Sequence, residues 1–204
     1  MSLLVPTLTV QVIFSDETTV ELGHKAKPFV RRSKGCRIRE VHTVRNVTFA
    51  RKVMFRGIIS VKGPGCLVPV QGTLNAERYV NLLQQYLLPQ AATWFPNSPW
   101  EFQQDNAPCH KAERTMTFFH QQGIQLLDWA PYSPDVSPIE NVWGMLKRKV
   151  YKVGSASTVE EVIAQAQHLW YSDSDIHNLC VSLCSNMPER VHKLLNSRGG
   201  PIFL

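Results

Sequence analysis

The sequence predicts an α/β domain, a central sheet of mixed strand direction flanked by helices. Three observations lead there. β-branched and apolar runs fill the beginning of the chain; runs with helical spacing and capping residues dominate its second half; between them, short apolar runs alternate with helices. With 204 residues and 44% hydrophobic content, one core is expected, the domain running over residues 9–204 after a linker at residues 1–8.

Thr9 to Ser15 (TVQVIFS) is β-branched and apolar, and Asp16-Glu17 separates it from a second β-rich run, Thr18 to Leu22, so the pair reads as a hairpin. Val53 to Val61 is the next strand, turning through Lys62-Gly63-Pro64-Gly65 into Cys66 to Gln71. These runs predict three antiparallel strands at the front of the sheet. Asn75 caps a helix whose Tyr79, Leu82, Leu83, Tyr86 and Leu87 fall at helical spacing and which ends near Pro89. Trp100 to Gln104 is a short strand with Asp105 at its end, before the loop Asn106-Ala107-Pro108. A helix from Lys111 to Gln122 is stopped by Gly123, and Ile124 to Leu127 forms the last strand. The proline-rich segment Ala130 to Pro138 leads into a helix starting at Pro138 or Ile139. Thr158 and Glu161 have capping-box spacing for another, and one or two more helices reach Gly199-Gly200.

Composition narrows the function. The longest apolar stretches fall far short of the roughly 20 residues a membrane span requires, and the first ten residues lack a basic start followed by a cleavable apolar segment, so a soluble intracellular protein is expected. Five cysteines, Cys36, Cys66, Cys109, Cys180 and Cys184, are an odd number without Cys-x-x-Cys spacing, which points to reduced thiols. From Lys25 to Arg56, eleven lysines and arginines oppose only Glu40, a net +10. Over half of these are arginine, including Arg31, Arg32 and Arg37 around Lys34, and such density suits a phosphate backbone that releases counterions when neutralised.

The acids at the strand ends carry the chemistry. Asp16 and Asp105 each close an apolar strand, where side chains of open α/β sheets meet ligands. Singly, each also fits an ordinary turn residue, and Glu140 fits a helix cap in Ser137-Pro138-Ile139-Glu140. Glu17, adjacent to Asp16, points to the other side of an extended chain and suits a solvent or salt-bridge role. Trp143 suits packing of its helix onto the sheet. Lys147 and Arg148 are either a solvated helix face or a track for the DNA backbone.

The three acids stand in Phe14-Ser15-Asp16-Glu17, Gln103-Gln104-Asp105-Asn106-Ala107-Pro108-Cys109-His110 and Ser133-Pro134-Asp135-Val136-Ser137-Pro138-Ile139-Glu140-Asn141-Val142-Trp143. Together these segments resemble the mariner-type DDE transposases, in the branch whose second Asp and final Glu are separated by 34 residues; here residues 106–139 number 34. The likeness extends through Gly63-Pro64-Gly65, Gly72-Thr73-Leu74-Asn75-Ala76, Leu87-Leu88-Pro89 and Leu146-Lys147-Arg148. The family usually carries Trp-Gly-Cys where Arg56-Gly57-Ile58 stands, Trp-Pro-Ala at Trp129-Ala130-Pro131, and Asn-Pro-Ile-Glu at Ser137 to Glu140.

The resemblance implies a ribonuclease H-like fold in which Asp16, Asp105 and Glu140 are catalytic and hold two Mg²⁺ or Mn²⁺ ions, the hard oxygen donors such cations prefer. It implies cleavage of DNA at transposon ends by water, then attack of the freed 3′-OH on target DNA, in the nucleus and without a nucleotide cofactor. Asn106 and His110 are candidates to support the metal site, and Arg31, Arg32, Lys34, Arg37, Lys147 and Arg148 to hold DNA. A homodimer is compatible with this reading. Family members carry helix-turn-helix units before the catalytic domain, and none is expected in this chain, so its own cutting should be weak and indiscriminate. The alternative function is a weak or inactive DNA-binding remnant of such an enzyme; a ribonuclease acting on RNA·DNA hybrids fits the loop motifs less well.

Overall fold

The computed structural model describes residues 11–22, 51–129, 137–153 and 156–196. Five strands form one sheet in the order β3-β2-β1-β4-β5. β1 (Gln11–Glu21) is central, antiparallel to β2 (Lys52–Ser60), which is antiparallel to β3 (Gly63–Val70). On its other side β1 runs parallel to β4 (Trp100–Gln103), and β4 parallel to β5 (Gln125–Leu126). The expected mixed sheet is present.

The hairpin expected around Asp16-Glu17 is not. The runs on either side are one strand, paired with β2 without interruption from Phe14↔Ile59 to Glu21↔Lys52. Acids disfavour strands when exposed, but Glu17 lies directly opposite Arg56 in this register, and that cross-strand cation keeps the strand continuous. Three antiparallel strands result because the first two runs fuse. The turn after β2 is also tighter than expected: Gly63 already begins β3, with φ +103° that favours glycine, while Pro64 and Gly65 lie inside the strand.

Alternation along β1 sends neighbours to opposite faces. Phe14 and Val20 join Phe55, Ile59 and Leu67 in one core, covered by α5 (Pro138–Val153), α6 (Val159–Ser172) and α7 (Ser174–Ser185) through Leu146, Trp170 and Ile176. Ile13 joins Ile58 and Phe102 in the other, covered by α1 (Ala76–Leu82), α2 (Leu88–Trp94) and α4 (Glu113–Gln121) through Tyr79, Ala91 and Phe118. At Gly57 the sheet meets α5 so closely that a Cβ would lie 2.4 Å from Trp143 Cη2.

The helix expected to stop near Pro89 continues to Trp94, because a π-helical turn, Leu83–Leu87, joins α1 to α2 and places Pro89 in the first turn of α2, where the missing N–H is tolerated. The helix expected from Lys111 is two pieces, α3 (Pro108–Lys111) and α4, separated by Ala112 at ψ 144°. Gly123, φ +63°, ends the second as predicted. The capping box of Thr158 and Glu161 opens α6, and α8 (Met187–Asn196) follows α7. No helix among the described residues is long and apolar enough to cross a membrane.

Candidate active site

The parallel pairing of β1 and β4 aligns Phe14 with Gln103. Two residues beyond that pair, Asp16 lies inside β1 and Asp105 in the loop that follows the end of β4. Ser15 Oγ secures the end of the pairing by donating to the Gln103 carbonyl at 2.8 Å. Glu140 lies in the first turn of α5, which packs against β1.

Asp16 belongs to the α5 face. Trp143, one turn after Glu140, donates its indole N–H to Asp16 Oδ2 at 3.0 Å. The indole is held by stacking on Trp170, ring centroids 5.0 Å apart, and Trp170 in turn donates to the Gly65 carbonyl at 2.8 Å. Burial, followed by the nearby negative charge of Glu140, pushes the Asp16 carboxyl up to about 7, against the lowering effect of its hydrogen bonds. An acid raised in part by a neighbouring carboxylate matches a site that a cation would relieve.

Glu17 belongs to the opposite face, as its place in the strand predicts. Its Oε1 pairs with Arg56, whose side chain is 6% exposed, and Arg56 also donates to Tyr79 Oη at 3.1 Å with its guanidinium over the Tyr79 ring. Tyr79 Oη donates to Gln104 Oε1 at 2.5 Å. Burial acts to raise the Glu17 carboxyl, but Arg56 and His110 outweigh it and hold the group below the usual carboxylate range.

Asp105 is exposed, and one of its oxygens is already engaged. Oδ1 accepts from the Ala107 N–H at 2.9 Å and contacts His110 Nδ1 at 2.5 Å. The His110 contact, opposed by partial burial and helped by Ala107, holds Asp105 below its ordinary value. His110 is itself buried against Tyr79, ring centroids 4.2 Å apart, with Nε2 3.5 Å from Glu17 Oε1. Its desolvation is outweighed by Asp105 and Glu17, so its pKa is raised.

Glu17, Asp105 and His110 therefore form the compact group among the described residues, with ligand atoms within 4.8 Å of one another. Sequence reasoning names His110 there and gives Glu17 a salt-bridge role, but misses its partner Arg56 and the contacts of Tyr79 and Gln104, because a cross-strand partner leaves no local signature. Arg56 also departs from its expectation as part of the basic DNA-facing segment: it is 5% exposed and committed to Glu17 and Tyr79. Lys52, at the same end of that segment, pairs with Glu21 at 3.1 Å.

Asn106 is exposed beside Asp105. On α5, Lys147 is half-buried two turns from Glu140, Arg148 is exposed, and the adjacent Lys149 is bound to Asp173 and Asp175, each at 2.6 Å. Arg31, Arg32, Lys34 and Arg37 lie outside the described residues. Cys66, Cys109, Cys180 and Cys184 are free thiols.

Residues 11–163 match the family described as DDE superfamily endonuclease. The chain is 30% identical over 191 residues to the transposable element Tcb1 transposase of Caenorhabditis briggsae, covering 93% of this chain and 68% of that protein. It is 34% identical over 134 residues to the Tc3 transposase of Caenorhabditis elegans, covering 65% of this chain and 40% of that one. The Mos1 transposase paired-end complex with left transposon end superposes with a TM-score of 0.80 at 19% identity, over 97% of this chain and 58% of the Mos1 chain. The catalytic domain of Mos1 mariner transposase superposes at 0.71 with 18% identity, over 94% of this chain and 84% of that domain. The fold is thus the ribonuclease H-like α/β fold of those catalytic domains, and the chain belongs to the DDE superfamily of endonucleases and, within it, to the Tc1/mariner transposases.

Proposed function

We propose that this chain is the catalytic domain of a cut-and-paste DNA transposase, with Asp16, Asp105 and Glu140 holding two divalent cations, Mg²⁺ or Mn²⁺, against a DNA phosphate. The observation that supports this reading is the parallel pairing of β1 with β4, with Asp16 two residues past the last aligned pair in β1, Asp105 two residues past it in the loop after β4, and Glu140 near enough to Asp16 to raise its carboxyl. The donor set fits: carboxylate oxygens are the ligands such cations prefer, and Asp16 and Glu140 repel one another without one. The Glu17, Asp105 and His110 group fits less well, because Glu17 is already paired with Arg56 and Asp105 Oδ1 is already engaged by His110 and the Ala107 N–H. Solved complexes of Mos1 contain Mg or Mn.

What divalent cations supply at such a site is activation of the attacking oxygen and stabilisation of the leaving oxygen in an in-line displacement at phosphorus. The chain's own residues hold the geometry: Trp143 anchors Asp16, His110 and the Ala107 N–H anchor Asp105, and the first turn of α5 presents Glu140. Water frees a 3′-OH in the first displacement, and that hydroxyl joins target DNA in the second. Arg31, Arg32, Lys34 and Arg37, with Lys147 and Arg148, supply phosphate contacts; the work is nuclear, and a second copy of the chain is the fitting partner for joining two transposon ends. Plasmid nicking tests the reading. The purified chain should nick supercoiled DNA with Mg²⁺ or Mn²⁺ and lose that activity with Asp105→Asn, whereas nicking that survives the substitution rejects the site.

A further inference from the structure

Asp105 is exposed and sits on a loop, yet its carboxylate is not left to choose its own direction. Both of its hydrogen-bonded contacts fall on one oxygen, Oδ1, which receives the Ala107 N–H at 2.9 Å and His110 Nδ1 at 2.5 Å. Among the described residues Oδ2 has no hydrogen bond, and it is the oxygen left for a ligand. His110 can serve as the anchor because it is 2% exposed and lies on the Tyr79 ring, with Nε2 at an ion-pair separation of 3.5 Å from Glu17 Oε1 and without a hydrogen bond of its own among the described residues. Glu17 is fixed by Arg56 directly opposite it in β2, and Arg56 by Tyr79. Tyr79 returns to the loop through Gln104, whose amide reaches the His110 carbonyl at 3.3 Å.

We infer that Arg56, Glu17 and His110 form a positioning relay that turns Asp105 so that Oδ1 is tied back and Oδ2 faces the cations, an inference that rests on the proposed metal site. Support of this type from outside the ligand shell commonly changes metal affinity by about 10- to 100-fold. The relay explains a buried arginine beside an acidic site: its partner is Glu17, and its effect on the cations passes through His110.

The distinguishing contact is Nδ1, which an asparagine amide can imitate and a glutamine amide, reaching instead to the Nε2 position, cannot. Mn²⁺ binding to the whole chain, read from the electron paramagnetic resonance signal of free Mn²⁺, should weaken about tenfold in His110→Gln, which loses the Nδ1 contact, and less in His110→Asn, which keeps it but loses the contact with Glu17. Melting temperatures are recorded beside each titration. Equal affinities in the two variants, or losses that follow melting temperature alone, would overturn the relay. If either variant does not fold, the ¹⁵N resonances of His110 in the wild-type chain decide: Nδ1 should keep its proton when Mg²⁺ is added, and a deprotonated Nδ1 would overturn the relay. Asp105→Asn separates the two levels. Its loss of Mn²⁺ binding with His110→Gln unaffected rejects the relay and keeps the site, whereas normal binding by Asp105→Asn rejects both.

Discussion

Trp143 Nε1 lies 3.0 Å from Asp16 Oδ2, so the helix that carries Glu140 also holds the first acid of the proposed site in place. The two residues are far apart in sequence, and the hydrogen bond fixes α5 against β1 at the level where the chemistry is proposed. Trp143→Phe keeps much of the ring but removes the N–H. Folding stability should fall by about 1–3 kcal/mol, from the missing hydrogen bond to a partly buried carboxylate and a smaller ring against Trp170. Urea unfolding measures it, and an unchanged midpoint would show that the hydrogen bond contributes nothing.

Asp16 makes stability depend on pH in a particular direction. Its carboxyl titrates at about 7 in the folded chain against an ordinary value of 3.8, because of burial and then Glu140. Between those values the folded state keeps a proton that the unfolded state has released, so the contribution is complete below pH 3.8 and is lost as pH rises towards 7. Wild type should lose stability relative to Asp16→Asn across that window, from pH 3.8 to about 7. Mn²⁺ should offset the loss and release protons on binding. Parallel pH profiles for the two proteins would contradict the raised value.

The Arg56 and Glu17 pair is buried enough for its two halves to depend on one another, with side chains 6% and 17% exposed. Removing either alone should cost about 3–5 kcal/mol, since the remaining charge is left in a low-dielectric setting. Arg56→Met with Glu17→Gln should be less destabilised than the sum of the single changes. A double-mutant cycle by denaturant unfolding gives the coupling; additive losses would mean that the pair does not act as a unit.

For DNA affinity, the proposed contributors Arg31, Arg32, Lys34 and Arg37 should act through charge rather than base recognition. Replacing all four with alanine should flatten the dependence of log affinity on log salt by about one unit for each phosphate that is no longer neutralised, at similar cost for unrelated sequences. Binding titrations across a salt series check it. An unchanged slope would remove this segment from the DNA surface.

Features set by neighbouring residues in the chain were legible in the sequence: the Thr158 and Glu161 capping box, the Gly123 helix stop, the start of α5 at Pro138. The acids Asp16, Asp105 and Glu140 stood out through the segments around them. What stayed hidden depended on pairings between distant residues. Asp16-Glu17 looks like a turn until Arg56 is known to lie across from Glu17. Pro89 looks like a helix end until a π-helical turn places it in a first turn. Arg56 counts as one more DNA-facing cation until burial commits it to Glu17 and Tyr79.

The most direct test is to locate the cations. Crystals of the chain grown with Mn²⁺ and measured for anomalous scattering should show two peaks roughly 4 Å apart among the carboxylates of Asp16, Asp105 and Glu140. Asp105 should keep Oδ1 on His110 and Ala107 and offer Oδ2 to the metal. A single peak enclosed by Glu17, Asp105 and His110, with Asp16 and Glu140 free of metal, would contradict the proposed site.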